Sequence, residues 1–135
     1  VSEVMEDITE LDNLVYVGGP VQQDTLHFIH RHASMENAVE IVDQIYWGGA
    51  FENLMLLCQT HQITPKDIRF FLGYSGWGPG QLDAELDQDS WIVCDYVTDQ
   101  LLFDTGPEIM WRKALENMGG RYSMFSNYPV DPRLN

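Results

Sequence analysis

Lysine is almost absent from this chain. Lys66 and Lys113 are the only two in 135 residues, and Arg31, Arg69, Arg112, Arg121 and Arg133 are scattered singly against 21 acids, for a formal net charge of −14. Such a surface repels the phosphate backbone that supplies most nucleic-acid affinity, so nucleic acid is not an expected partner. Cysteine is just as scarce. Cys58 and Cys94 sit in the apolar contexts LMLLCQT and SWIVCDY, which suits buried thiols in a reduced, cytoplasmic setting and not a disulfide framework. No apolar run approaches the roughly 18 residues of a membrane span, so no membrane role is expected. The opening VSEVMEDITEL is acidic and amphipathic, without the basic and apolar regions of a signal peptide. It starts with Val1 and not Met, inside what reads as a helix, so the chain is expected to be a fragment of something longer. Internal repeats, low-complexity tracts and inter-domain linkers are also missing.

What is present is a single domain's worth of apolar sequence, 44% hydrophobic, and one domain over residues 1–135 is expected. A helix reads from Ser2 to about Glu10. LVYVGGPV reads as a short strand stopped by Gly18-Gly19-Pro20. In TLHFIHRH, Leu26, Phe28 and His30 would share one strand face. A polar turn near Ala33–Glu36 leads into AVEIVDQIYWGG, expected as strand or irregular extended chain. AFENLMLLCQTHQ is helical by the spacing of Phe51, Leu54, Met55 and Cys58. DIRFFLGYS is so continuously apolar that it reads as a strand covered on both faces. Pro79 suits the first position of a helix, PGQLDAELDQD. SWIVCDYV reads as another strand, followed by a turn or short helix at Asp99–Phe103. The last helix is TGPEIMWRKALENMGG, with Thr105 as its cap and Gly119-Gly120 as its stop. The tail has little periodicity. Imperfect alternation of strands and helices implies a mixed α/β or α+β domain.

The stretch FLGYSGWGPGQLDAEL, Phe71 to Leu86, invites a chemical reading. A phosphate-binding loop needs a lysine beside its glycines, and none is there. Asp83, Glu85, Asp87 and Asp89 on the following helix would repel an anion; they read as a solvated face. The nucleophile elbow G-x-S-x-G is missed by one residue, because Gly76 follows Ser75 directly, so a serine-hydrolase reading of Ser75 ranks last. A tight strand-to-helix turn, with Trp77 buried against the sheet, is the expectation. His30 and His32 form an H-x-H pair with His27 on the other face, but no CxxC or HExxH completes a zinc set. Polar strand residues near an edge are the expectation. Core packing is expected for most of Tyr74, Trp77, Trp91, Phe103 and Trp111.

Taken together, VYVGGPVQQDTLHFIH, FLGYSGWGPGQLDAEL, SWIV and LLFDTGPEIMWRKAL resemble the bacterial AlgH/YqgE family, some of whose members carry the label of transcriptional regulator. The match runs from about Val15 to Met118 and rests on G-G-P-V-Q, G-Y-S/A-G-W-G-x-G-Q-L, and F-D with a W-R-x-A helix. The resemblance implies a single α/β-sandwich domain with a mixed sheet. It also implies an incomplete sheet, because the family's N-terminal segment, with its G-x-x-G-L-V-x-N-(R/K)-P stretch, is not in this chain. No catalytic residue, cofactor or metal carries over from the family.

The leading expectation is therefore a non-enzymatic, cytoplasmic interaction or regulatory domain that binds a protein partner or a small ligand. A DNA-binding regulator is the alternative, on the family label alone. The binding residues expected are Gly18, Gly19, Pro20, Gln22, Tyr74, Ser75, Trp77, Gly78, Gln81 and Leu82, which make up the two glycine-rich turns. A homo-oligomer is expected as well, through a strand edge left without its neighbour.

Overall fold

The computed structural model describes residues 15–95 and 97–125. The expected Ser2–Glu10 helix and the end of the tail lie outside them. The fold is α+β. Among the described residues it has a five-stranded mixed sheet and five α-helices, in two compact units that divide between Trp77 and Gly78.

The first unit carries the sheet: β1 (Val15–Val17), β2 (Val21–His30), β3 (Val39–Val42), β4 (Ile45–Trp47) and β5 (Ile68–Tyr74). Their order is β1-β5-β2-β4-β3. β1 runs parallel to β5, and every other neighbouring pair is antiparallel. Period-2 alternation decides which side chains go inward. Phe28 and His30 of β2, and Ile68 and Phe70 of β5, are buried on one face. Helix α1 (Phe51–Gln59) covers that face with Leu54, Leu57 and Cys58. Phe70 and Leu54 are fully buried, which stabilises the unit by about 1.5–3 kcal/mol for each side chain. Two hydrogen bonds tie α1 to the loop after β2: Glu36 N donates to Asn53 Oδ1 at 3.0 Å, and Ala50 N donates to Glu36 O at 2.8 Å. A 3-10 turn at Pro65–Asp67, closed by a Thr64–Asp67 capping box, feeds the chain into β5.

Three expectations change here. AVEIVDQIYWGG is not one extended run but a hairpin, β3 and β4, turning at Asp43-Gln44, with Val42 opposite Ile45 and Gln44 at φ +62°. The sequence offers no Asn-Gly or Asp-Gly at that turn, the usual signal for a two-residue hairpin. β5 is fully covered on one face only, since Arg69 and Phe71 on the other remain partly exposed. Trp77 is exposed and does not bury against the sheet.

The second unit is helical: α2 (Gln81–Asp87), α3 (Asp99–Phe103), α4 (Pro107–Met118) and α5 (Gly120–Phe125). Leu101, Phe103 and Leu115 are buried. α2 begins two residues after Pro79, with Gly80 at φ +74° as its N-cap. The strand expected at SWIVCDYV is absent over Ser90–Asp95, where Trp91, Ile92 and Val93 are exposed. An apolar run becomes a strand only beside another strand, and the described part of this unit has none. Thr105 does not cap α4; Gly106 holds that position, and Thr105 Oγ1 donates to Gln100 O at 3.2 Å. Thr98 is the capping threonine, accepting Leu101 N at 3.1 Å for α3. Gly119 at φ +69° stops α4, and the tail then forms α5, too short for its period to show.

Candidate functional site

The parallel pairing of β1 with β5 ends at the Val17/Leu72 pair, and a glycine follows on each side, Gly18 and Gly73, where the chains press backbone against backbone. Gly18 N donates to Leu72 O at 2.8 Å. A Cβ on Gly18 would overlap Gly73 O, and one on Gly19 would overlap the carbonyl of Tyr74 and the amide of Ser75. No side chain fits at either position. Gly73 stands at φ +78°, a conformation that favours glycine. It breaks the alternation of β5, so Tyr74 turns to the side of Phe71 instead of the core, where its ring meets His27 edge-on at 5.8 Å.

The antiparallel partner adapts to this irregularity. Val21 pairs with Tyr74 and Leu26 with Leu72, so four residues, Gln22 to Thr25, stand against the single Gly73. Gln22 takes φ +44°, and Thr25 Oγ1 donates to Gln22 O at 2.7 Å, which pins this wide bulge. Beyond it, His27 projects from the face opposite Phe28. His27 stacks on Trp47 at 6.1 Å and 21°.

These rings bound a cavity of about 560 Å3 within the first unit, lined by His27, Ile29, Trp47, Phe71, Tyr74 and Ser75, with Gly18 and Gly73 at its edge. Beside it on the same sheet face, Tyr16 packs on Phe71 at 6.0 Å, and the Arg69 guanidinium lies 5.3 Å over the Tyr16 ring.

Of the expected site residues, Gly18, Tyr74 and Ser75 line this cavity, and Gly19 supports it from behind. Pro20 and Gln22 lie on the adjoining exposed turn and bulge. Trp77 is the last residue of the first unit. Gly78, Gln81 and Leu82 belong to the second, where they organise a helix start: Gly78 N donates to Gln81 Oε1 at 2.9 Å and Gln81 Nε2 to Glu85 Oε1 at 3.0 Å. Glu85 Oε2 in turn accepts Trp91 Nε1 at 2.7 Å. His27, Ile29, Trp47 and Phe71 were not among the expected site residues. Period-2 reading of β2 and β5 puts His27, Ile29 and Phe71 on the non-core face, but Trp47 is reached only through the hairpin. Tyr74, Trp77, Trp91 and Trp111 are exposed, against the expectation of core packing, which holds for Phe103.

His30 is fully buried, not an edge residue. Its Nε2 lies 2.8 Å from Gly48 O, which can only accept, and its Nδ1 accepts His32 N at 3.1 Å. Both ring nitrogens are therefore used by the backbone in one neutral tautomer, with none left for a metal. Burial pushes this imidazole's pKa down, outweighing the Gly48 bond that pulls it up; His32 adds a smaller lowering. Ser75 shares the cavity with His27, but the ring nitrogen in a hydrogen bond is Nε2, 3.1 Å from Thr25 Oγ1. Among the described residues no histidine bonds the Ser75 hydroxyl, so it lacks the base that would activate a nucleophile.

Comparison with known proteins agrees on one family. The profile described as AlgH-like (DUF179) matches residues 1–123. A UPF0301 protein of Cytophaga hutchinsonii is 44% identical over all of this chain and 75% of its own length. One from Chlorobium limicola is 43% identical over all of this chain and 72% of its own. The solution structure of the AlgH protein from Pseudomonas aeruginosa matches with a TM-score of 0.64 at 27% identity, covering 96% of this chain and 71% of that one. A crystal structure of a protein from Corynebacterium diphtheriae reaches 0.65 at 19% identity over 84% and 60%, a likeness of fold alone.

Proposed function

Because the chain belongs to the AlgH-like family, whose G-G-P and G-Y-S glycines here press together behind one cavity, we propose that it works as a non-enzymatic binding domain. Its function is to be occupied, in the aromatic cavity of the first unit, by a small ligand or by an apolar side chain of a protein partner. The observation that carries this reading is the cluster of partly exposed rings, Trp47, His27 and Tyr74, held around a concave space on the sheet face away from α1. Surface aromatics gathered about a concavity are the usual anchor points of recognition. The competing readings draw no such support. A net charge of −14 opposes DNA, and among the described residues no histidine bonds the Ser75 hydroxyl. A cytoplasmic setting fits the scarce cysteines.

The test compares capture of ligands and partners from native lysate by the wild-type chain, by Trp47→Ala, and by Trp111→Ala, which removes another exposed tryptophan, from α4. Specific capture is expected to be lost with Trp47 and kept without Trp111. Equal capture by all three chains would sink the reading.

A further inference from the structure

Resting on that reading, we propose that the natural occupant of the cavity is a small, uncharged, planar aromatic molecule bearing a hydrogen-bond acceptor. Three independent features of the cavity lead there: its walls, its polar groups and its charge.

The walls are flat. The His27 ring lies nearly parallel to the Trp47 indole, and Tyr74 meets that stack at 84°. Flat rings pack best against flat rings, in offset or edge-on contact, and each such pair is favourable beyond its buried area. At about 560 Å3 the cavity falls within the roughly 300–1,000 Å3 of small-ligand sites.

The polar groups are few: one pure donor, two hydroxyls that donate as well as accept, and one ring nitrogen. Among the described residues, the Trp47 indole N–H and the Tyr74 and Ser75 hydroxyls have no hydrogen-bond partner. The His27 tautomer is fixed by its neighbour. Thr25 gives its one hydroxyl hydrogen to Gln22 O, so it can only accept from His27 Nε2–H, and the neutral ring keeps its lone pair on Nδ1. A guest that carries an acceptor can pair with one or more of these donors, and an apolar guest cannot.

The charge is zero. No Asp, Glu, Lys or Arg lines the cavity, in a chain with 21 acids. An anion would find no cation there, and a cation would find no carboxylate, so a neutral guest loses least on leaving water.

The experiment titrates the 15N-labelled chain with 2-quinolinone, a flat bicyclic lactam, and with its perhydro analogue, which keeps the lactam and loses the planar rings. Saturable shifts of the Trp47 indole N–H and of the Gly73 and Ser75 amides are expected with 2-quinolinone, and binding about 2- to 12-fold weaker with the perhydro compound. Trp47→Leu, which keeps apolar bulk at an exposed position, and Ser75→Ala are each expected to weaken 2-quinolinone binding; the second covers the case in which the first fails to fold. Equal binding of the flat and saturated lactams would overturn the proposal. So would shifts produced by benzyltrimethylammonium and not by 2-quinolinone. If neither probe moves these resonances while lysate capture still depends on Trp47, the ligand class is wrong and the binding site stands. If capture ignores Trp47 as well, both fall.

Discussion

His30 and Gly48 are joined across the sheet by a 2.8 Å hydrogen bond from the imidazole Nε2 to the glycine carbonyl, inside a fully buried environment. The bond requires a protonated Nε2, and the His32 amide on the other side requires an unprotonated Nδ1. Only the neutral ring satisfies both, and burial lowers its pKa.

The pH dependence follows from that sign. Between the depressed folded pKa and the ordinary value of 6.5, the unfolded chain binds a proton on His30 that the folded chain does not. Stability present above that ordinary value is therefore lost as pH falls through it. Urea midpoints at about pH 8 and about pH 5.5 should differ more for the wild type than for His30→Gln, whose amide keeps a donor and cannot titrate. An unchanged difference would assign the effect to other groups.

The glycine pair makes a prediction with its own control. Gly19→Ala drives a methyl into the Tyr74–Ser75 backbone and should cost about 1–3 kcal/mol. Gly76→Ala lies in the same motif, but its nearest neighbour is the Tyr74 ring at 3.6 Å, with no positive φ. It should fall within about 0.5 kcal/mol of wild type. Chemical denaturation of the two variants decides; equal losses would mean that the contact between the turns is not what fixes these glycines.

Ser75 is expected to be inert as a nucleophile. A fluorophosphonate probe should leave the chain unlabelled, and labelling abolished by Ser75→Ala would reinstate the hydrolase reading.

The chain should show no site-specific DNA binding at physiological salt, since two lysines and five arginines release few counterions. A gel shift of sub-micromolar affinity that weakens with added salt would contradict this.

Self-association is expected through β3, an edge strand whose four residues are all exposed, with Val39, Ile41 and Val42 among them. Sedimentation on the order of tens of micromolar should show a mass above one chain, reduced by Ile41→Lys, because a charged edge disfavours pairing. A clean wild-type monomer would remove the expectation.

The sequence is most legible where a local pattern decides. α1 follows from helical spacing, the inward face of β2 from alternation, β1 and β5 from short apolar runs, and α4 from Pro107 at its start and Gly119 at its stop. The family is equally plain in the spacing of the glycine motifs. Two kinds of feature are hidden. A turn such as Asp43-Gln44, which uses a non-glycine residue at positive φ, leaves no mark to divide β3 from β4, and Trp47 is lost with it. Apolar runs such as Trp91–Val93 carry no record of whether a strand lies beside them. The cavity itself depends on Gly73 turning Tyr74 out of the alternation, a local backbone choice that residue types alone do not specify.

The bulge opposite Gly73 bears on how this chain tolerates changes in length. Shifting a strand by one residue exchanges its two faces, so an insertion within Leu26–His30 would turn Phe28 and His30 out of the core. The four residues Gln22–Thr25 already stand against one and hold no register. A residue gained or lost there is absorbed before it reaches Leu26. Natural insertions and deletions in β2 should therefore collect between Gln22 and Thr25, next to the His27 and Gly73 that line the cavity, and leave the core in place.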